Sequence, residues 1–167
     1  MEITLDQLLT SRENRHARQQ ELLHQYPGQT LLCVTVIIPG SVKRNTNSLI
    51  IAGAATTAVV NRFGNSIRHI DSRDLATGHE LFVVTDIDNA TAKKMACEIE
   101  ETHPLGRLFD IDVINSQGFP LSREEAGHKP RRCLLCDNEA RYCMRNHTHT
   151  RQELDDRISQ MISDYVQ

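Results

Sequence analysis

The sequence has no tryptophan and few other aromatic residues, only four phenylalanines and three tyrosines. A hydrophobic core must therefore be built mainly from Val, Ile, Leu and Ala. A basic excess is also missing, because 19 Lys and Arg face 22 Asp and Glu, for a net charge of −3. This balance excludes a general nucleic-acid coat protein, although it leaves room for a local basic pocket that binds one polyanionic ligand.

No apolar run approaches the length of a membrane-spanning helix, and Met1–Gln7 has neither the basic nor the apolar part of a secretory signal. The five cysteines are an odd number, and three of them fall within Cys133–Cys143, which makes a poor disulfide framework. We therefore expect reduced cysteines, no membrane partner and a bacterial cytoplasmic location. The length of 167 residues suits a single domain, 1–167, with a Cys/His-rich lobe from about 129 to 167.

Hydrophobic periodicity and capping residues predict four helices and four strands. The predicted elements are a helix from Thr4 to about Tyr26, a strand Thr30–Ile38, a helix Asn47–Phe63, strands Ser66–Asp71 and Glu80–Thr85, a helix Ala90–Thr102, a strand Leu108–Asn115 and a last helix capped by Thr150. The segment Ser72–Gly78 is turn-like. The middle of the chain thus follows the order β-α-β-β-α-β, which predicts an α+β, ferredoxin-like (palm-like) sheet flanked by N- and C-terminal helices.

The apolar stripe of the first helix is interrupted by cations. Its ends are apolar, at Leu5, Leu8, Leu9, Leu22, Leu23 and Tyr26. The middle of the same stripe holds Arg12 and Arg15, with His16 and Gln19. Periodicity slightly favours a helix that simply turns these residues to solvent. The alternative is a helix laid over a cleft, with Arg12 and Arg15 directed at an anion.

Two carboxylates alternate with apolar residues along the predicted strand Leu108–Asn115. Side chains on a strand point to opposite faces in turn, so one face would hold Phe109, Ile111 and Val113 and the other Leu108, Asp110 and Asp112. The two aspartates would lie roughly 7 Å apart and would repel each other unless a cation joined them. Mg²⁺ takes one or two carboxylates and completes its shell with water and substrate phosphates, so the strand predicts a magnesium site.

A D-x-D pattern alone also fits a strand with one solvent face. Gly106 and Arg107, directly before the strand, favour a site, because glycine lets a ligand approach the backbone and a guanidinium matches a phosphate. The second D-x-D, at Asp86 and Asp88, lies where the next helix needs a cap, and we interpret it as structural. Lys43 follows a Pro-Gly turn and belongs either to a plain turn or to a loop near substrate phosphates.

Cysteine, histidine and arginine are dense within Lys129–His149. The spacing fits a tetrahedral zinc site formed by Cys133, Cys136, Cys143 and either His147 or His149. Reduced cysteines packed against the last helix are the alternative, and both interpretations stay open. A redox Cys-x-x-Cys pair is disfavoured, because no thioredoxin-like strand precedes it. The neighbouring Arg131 and Arg132 are either solvated or phosphate-binding.

Over nearly its whole length the chain resembles the apo-citrate lyase phosphoribosyl-dephospho-CoA transferases, also called citrate lyase holo-acyl-carrier-protein synthases. The specific matches are HPLGRLFDIDV at His103–Val113 and RRCLLC at Arg131–Cys136. The supporting matches are Ser11–Gln19, Pro39-Gly40 with Lys43, Ser122-Arg123, Ala140, Cys143, Arg145 and His149. In two departures, Ser41 replaces an expected proline, and His147 stands where the family varies, which makes His149 the better candidate ligand.

The resemblance implies an enzyme, a nucleotidyltransferase. A serine of the acyl-carrier (gamma) subunit of citrate lyase would attack the α-phosphate of 2′-(5″-triphosphoribosyl)-3′-dephospho-CoA, and pyrophosphate would leave. Asp110 and Asp112 are then expected to hold Mg²⁺, with Arg107 as a further catalytic residue that binds the triphosphate together with Lys43. The residues expected to bind substrate are Arg12, Arg15, Lys43, His103, Gly106, Arg131 and Arg132.

Two other functions compete with this one. The first is a related palm-fold nucleotidyltransferase with a different donor or acceptor. The second is a ferredoxin-like module with a zinc lobe that binds RNA or a protein. RNA-binding sheets of that kind expose stacking aromatics on their central strands, whereas Phe109, the one aromatic on the D-x-D strand, belongs to its apolar face. Nucleic acid is therefore not an expected partner.

Overall fold

The structure, a computed structural model that describes residues 1–167, contains five α-helices and one four-stranded sheet. The helices are α1 (Leu5–Gln25), α2 (Thr46–Phe63), α3 (Asn89–Thr102), α4 (Ala140–Asn146) and α5 (Arg151–Val166). The strands are β1 (Thr30–Val36), β2 (Ile67–Leu75), β3 (Gly78–Thr85) and β4 (Phe109–Ile114). Neighbouring strands are antiparallel, in the order β2-β3-β1-β4. The predicted α+β class is confirmed. None of the helices combines the length and apolar character needed to cross a bilayer.

Capping side chains set where the helices begin. Thr4 caps α1 and Thr150 caps α5, each within a capping box, as the sequence predicts. Asp88 caps α3 by accepting the backbone N–H of Thr91 at 3.0 Å, which confirms the structural interpretation of the second D-x-D. Helix α2 begins slightly earlier than predicted, because Asn45 caps it.

The turn predicted at Ser72–Gly78 is too long, because β2 continues to Leu75 and β3 begins at Gly78, which leaves only residues 76 and 77 in the turn. The polar side chains that suggested a turn are tolerated here because β2 is an edge strand with no buried residue. Two other strand ends also shift. β1 ends at Val36, two residues early, and β4 begins at Phe109, because Gly106–Leu108 forms a 3₁₀ turn before it.

The two faces of the sheet differ in how they are covered. On one face, Phe109, Ile111 and Val113 pack into a large core with helices α2, α3 and α5, as predicted. Leu108 was expected on the opposite, acidic face, and that prediction is wrong: it is fully buried in the same large core. The 3₁₀ turn explains the error, because strand alternation does not extend through it.

Helix α1 covers only part of the other face. Its C-terminal half contributes Leu22 to a small core with Leu31, Cys33, Phe82, Val84 and Ile114. At its N-terminal end the apolar stripe does not pack, since Leu5 is 70% exposed and Leu9 45% exposed. The acidic side of β4 therefore lies on the face that carries less apolar cover.

Candidate active site

Asp110 and Asp112 lie on the α1 side of β4, where Asp110 is opposite Thr35 and Asp112 opposite Cys33 of the neighbouring strand. The Asp110 side chain is 49% exposed, and Asp112 lies deeper. Burial, together with the negative charge of Asp110, raises the pKa of Asp112 to about 6. The charged form of Asp112 is therefore costly unless a cation offsets its burial and the charge of Asp110.

Side chains satisfy the first part of the outer edge of β4, at Phe109 and Ile111, whereas the carbonyl of Val113 accepts the backbone N–H of Leu121 at 2.8 Å. The carboxylate of Glu100 accepts the backbone N–H of Ile111 at 3.0 Å. Lys93 donates to the carbonyl of Ile111 at 3.4 Å, and Arg131 donates to the carbonyl of Phe109. An unpaired edge would otherwise expose these backbone groups. Three charged side chains therefore fix the strand that presents the acidic pair.

Arg15 of α1 points at an acidic group of the protein itself. Its guanidinium lies 3.1 Å from the carboxylate of Glu80, which is only 2% exposed. Glu80 precedes Leu81, which is opposite Val34 of β1, and Asp110 is opposite Thr35 on the other side of the same strand. Burial raises the pKa of Glu80. Arg15 is therefore not simply turned to solvent, because it pairs with a carboxylate of the protein, whereas Arg12 is exposed.

A group of cations, which we name the loop cluster, consists of Arg12, Lys43 and Arg151. Lys43 donates to the carbonyl of Ile38 at 2.7 Å. Burial, and then the charges of Arg151 and Arg12, lower the pKa of Lys43. The guanidinium of Arg151 lies so close to Gly40 that a Cβ there would overlap with it. Arg12 and Lys43 were predicted to bind substrate. Arg151, which lies beside them, was not.

A cavity of about 680 Å³, which we name the edge pocket, opens beside the outer edge of β4. Its cations are Arg107, Arg123, Lys129, Arg131, Arg132 and Arg157, and its acids are Glu100 and Glu101. Burial, together with the charge of Arg131, lowers the pKa of Arg107 to about 10. The structure thus places Arg107 in this pocket, and Arg131 is the cation next to Asp110, at 3.9 Å.

His103 and Gly106 fix the conformation of the segment that precedes β4. The Nδ1 atom of His103 accepts the backbone N–H of Leu105 at 2.9 Å, and its ring packs on Phe109 at 4.8 Å. His103 also lines the edge pocket. A Cβ on Gly106 would overlap with carbonyl oxygens of α3, including that of Glu100. Glycine is therefore needed here for contact with a helix, a different reason from the approach of a ligand that the sequence suggested.

The four predicted metal ligands come together in the C-terminal lobe. One ligand atom from each of Cys133, Cys136, Cys143 and His149 lies within 4.8 Å of the others. The Nε2 atom of His149 is buried without a hydrogen-bond partner, which a bound metal would supply. Burial raises the pKa of Cys133, but backbone N–H groups, first that of Leu135, outweigh it and lower the value to about 7. Three thiols and one imidazole fit a tetrahedral zinc ion.

Several charged residues of the site were given no role from the sequence, namely Glu80, Glu100, Arg123, Arg151 and Arg157. For Glu100 a signal was present: it falls seven residues after Lys93, and both lie on the buried side of α3. Charged residues spaced in this way on a core-facing stripe are rarely buried without partners. The others depend on contacts between distant segments, which local patterns do not reveal.

The raised pKa of Asp112 predicts a pH-dependent stability in metal-free buffer. The folded state binds this proton more tightly than the unfolded state does, so the charged carboxylate destabilises the fold above about pH 6. The penalty disappears as the pH falls from about 6 towards 4. We expect Asp112→Asn to be more stable than the wild type at about pH 8, on the order of 1–3 kcal/mol, and equal to it near pH 4. Urea unfolding in EDTA across this range measures the difference. A constant difference at every pH would contradict the assignment.

An acidic pair beside two groups of cations has the charge arrangement that suits a phosphorylated ligand. A family model described as apo-citrate lyase phosphoribosyl-dephospho-CoA transferase matches residues 3–165. The chain belongs to this family, and is therefore an enzyme, a transferase.

Curated relatives agree with the family match. A probable apo-citrate lyase phosphoribosyl-dephospho-CoA transferase of Vibrio cholerae is 38% identical over 99% of this chain and 94% of its own length. The transferase of that name from Escherichia coli O1:K1 is 34% identical over 97% of this chain and 90% of its own. The protein CitXG of Haemophilus influenzae is 39% identical over 98% of this chain, but the chain spans only 36% of that longer relative.

Proposed function

We propose that the protein attaches the prosthetic group of citrate lyase. It takes the phosphoribosyl-dephospho-CoA unit from 2′-(5″-triphosphoribosyl)-3′-dephospho-CoA and transfers it to a serine of the acyl-carrier (gamma) subunit, with release of pyrophosphate. The observation that carries this proposal is the acidic pair of β4 with Arg131 at its side, within a chain of this family. The reaction moves a charged group between oxygens, so alignment and charge neutralisation dominate its barrier.

In the proposed reaction, the serine oxygen bonds to the α-phosphorus, the hydroxyl proton passes to water, and the bond from that phosphorus to the oxygen of the leaving pyrophosphate breaks. Asp110 and Asp112 would hold Mg²⁺. When bound, this ion neutralises the phosphate and favours the ionised form of the attacking hydroxyl. Asp110, half exposed, presents carboxylate oxygens towards the open face. Asp112 lies deeper and is charged once a cation offsets its burial.

The cations have separate parts in this proposal. Arg131 contacts Asp110 and the backbone of β4 at once, so it orients the acidic strand and offers N–H donors to a phosphate. Lys43 and Arg12 bind the triphosphate from the loop cluster. Arg15 positions α1 over the face through its ion pair with Glu80. Arg107, His103 and Arg132 line the edge pocket, where they face the rest of the donor.

We further propose a ferredoxin-like, palm-like nucleotidyltransferase domain that occupies residues 1–167. The antiparallel strand order β2-β3-β1-β4 and the order β-α-β-β-α-β along the chain support it. Zinc, bound by Cys133, Cys136, Cys143 and His149, would hold the lobe from about residue 129 onward. Five free cysteines and a coenzyme A-derived donor support a cytoplasmic location.

Release of pyrophosphate tests the proposed function. We expect release only when the donor, the carrier subunit and Mg²⁺ are all present, and none with a carrier whose acceptor serine is replaced by alanine. ATP in place of the donor should give no release. Efficient release with ATP or another nucleoside triphosphate would instead favour the related nucleotidyltransferase with a different donor.

A further inference from the structure

We infer that the enzyme holds its donor at two separate anion sites, the triphosphate at the loop cluster and the diphosphate of the dephospho-CoA half in the edge pocket. This inference rests on the proposed function. It assigns new binding roles to Arg151, Arg157 and Lys129, and it moves Arg107 from the triphosphate to the dephospho-CoA diphosphate.

The edge pocket holds more positive charge than the protein neutralises. Arg123 is held between Glu100 and Glu101, at 2.7 and 2.6 Å. Arg131 is also engaged, by backbone carbonyls and by Glu100. Both acids of the pocket are thereby used by these two arginines and His128.

Three cations of the edge pocket remain without an acidic partner: Arg107, Lys129 and Arg157 form no ion pair in the structure. The Nε atom of Arg107 is moreover buried without a hydrogen-bond acceptor. A buried guanidinium donor without an acceptor is costly, and neighbouring like charges add to the cost. An anionic ligand would remove both costs. The volume of about 680 Å³ suits part of a nucleotide-sized ligand.

The loop cluster is a second and distinct group of unused donors. Arg151 pairs through Nε with Asp155 at 2.8 Å, which leaves its two terminal nitrogens against Gly40. Lys43 donates one N–H to the carbonyl of Ile38, which leaves two N–H donors of its ammonium group. Arg12 is exposed and forms no ion pair. Three cations with free donors beside one glycine can surround a polyphosphate closely.

The acidic pair lies between the loop cluster and the edge pocket. On the loop side, Ile38 comes three residues after Thr35, which is opposite Asp110. On the pocket side, Arg131 lines the edge pocket and also contacts Asp110. Helix α5 contributes a cation to each site, at positions 151 and 157, which a helix separates by about 9 Å. The donor likewise carries two polyphosphate groups, separated by two linked riboses, and its reacting phosphorus belongs to the triphosphate.

The test uses two partial ligands and the full chain. Dephospho-CoA carries only the diphosphate, and inorganic tripolyphosphate represents only the triphosphate. We expect Arg157→Ala to weaken dephospho-CoA binding by about tenfold or more and to leave tripolyphosphate binding unchanged. Arg151→Ala should do the reverse. Both side chains are on the surface of α5, so both variants should fold. Arg62→Ala, in an exposed ion pair with Glu98, is the matched control and should change neither affinity.

Equal weakening of both ligands by each variant would overturn the division into two sites, and so would a wild type that fails to bind dephospho-CoA. Lys129→Ala provides a second variant of the edge pocket and should follow Arg157→Ala. The proposed function fails in a different way: the carrier subunit would stay unmodified although dephospho-CoA binding still depends on Arg157. If the Arg157→Ala enzyme modifies the carrier with an unchanged KM for the donor, the two-site inference is refuted while the proposed function stands.

Discussion

Replacing either Asp110 or Asp112 with asparagine will lower the rate of transfer to the carrier subunit by about three orders of magnitude. A metal ion that neutralises a transferring phosphate contributes several kcal/mol, and each 1.4 kcal/mol is a factor of ten in rate. Asparagine keeps the size of the side chain but removes the charge that binds Mg²⁺. Transfer is measured under single-turnover conditions, and circular dichroism confirms the fold. Asp112→Asn should fold at least as well as the wild type, because it removes a buried charge.

The other D-x-D supplies matched controls. Asp86 forms an exposed ion pair with Arg68 on the other edge of the sheet, and Asp88 caps α3. Asp86→Asn and Asp88→Asn should therefore keep the full transfer rate, since asparagine caps a helix as well as aspartate does. Near-normal activity in both Asp110→Asn and Asp112→Asn would disprove the metal assignment.

Loss of the metal from the C-terminal lobe should have the second large effect. We expect one zinc per chain by elemental analysis, and its absence in Cys136→Ser and Cys143→Ser. The free energy of unfolding should fall by about 4–5 kcal/mol. Transfer should fall too, because Cys133 directly follows Arg131 and Arg132, and His149 lies two residues before Arg151. The lobe therefore positions cations of both the edge pocket and the loop cluster.

Two variants distinguish a metal site from ordinary packing of cysteine. Cys97→Ala removes a buried thiol from α3, outside the cluster, and should keep the zinc. His147→Asn should keep it as well, because His147 ends α4 with a positive φ of 47°, a conformation that asparagine tolerates, and is not among the clustered ligands. A wild type that contains no zinc, or Cys→Ser variants with unchanged stability, would support the reduced-cysteine interpretation instead.

Strand alternation and helix capping together gave the two aspartate pairs different interpretations. Alternation predicted the buried face of Phe109, Ile111 and Val113, and the capping rules assigned Asp88 to α3. Both predictions need only neighbours along the chain. They fail at Leu108, because a 3₁₀ turn interrupts the alternation one residue before the strand.

The charged partners of the site could not be predicted in the same way. Arg15 finds Glu80 across 65 positions of the sequence, and Arg123 finds Glu100 across 23. We expected Arg107 to lie beside the acidic pair, because it is only three residues before Asp110 in the sequence. The turn Gly106–Leu108 instead leaves it in the edge pocket, and Arg131, from a distant segment, occupies the place next to Asp110.

The intact mass of the citrate lyase gamma subunit tests the central claim most directly. After incubation with the enzyme, 2′-(5″-triphosphoribosyl)-3′-dephospho-CoA and Mg²⁺, the subunit should gain the mass of one phosphoribosyl-dephospho-CoA group at a single serine. The Asp112→Asn enzyme should leave the mass unchanged over the same time. An unshifted subunit with the wild-type enzyme, or a shift that matches a different nucleotide, would contradict the account.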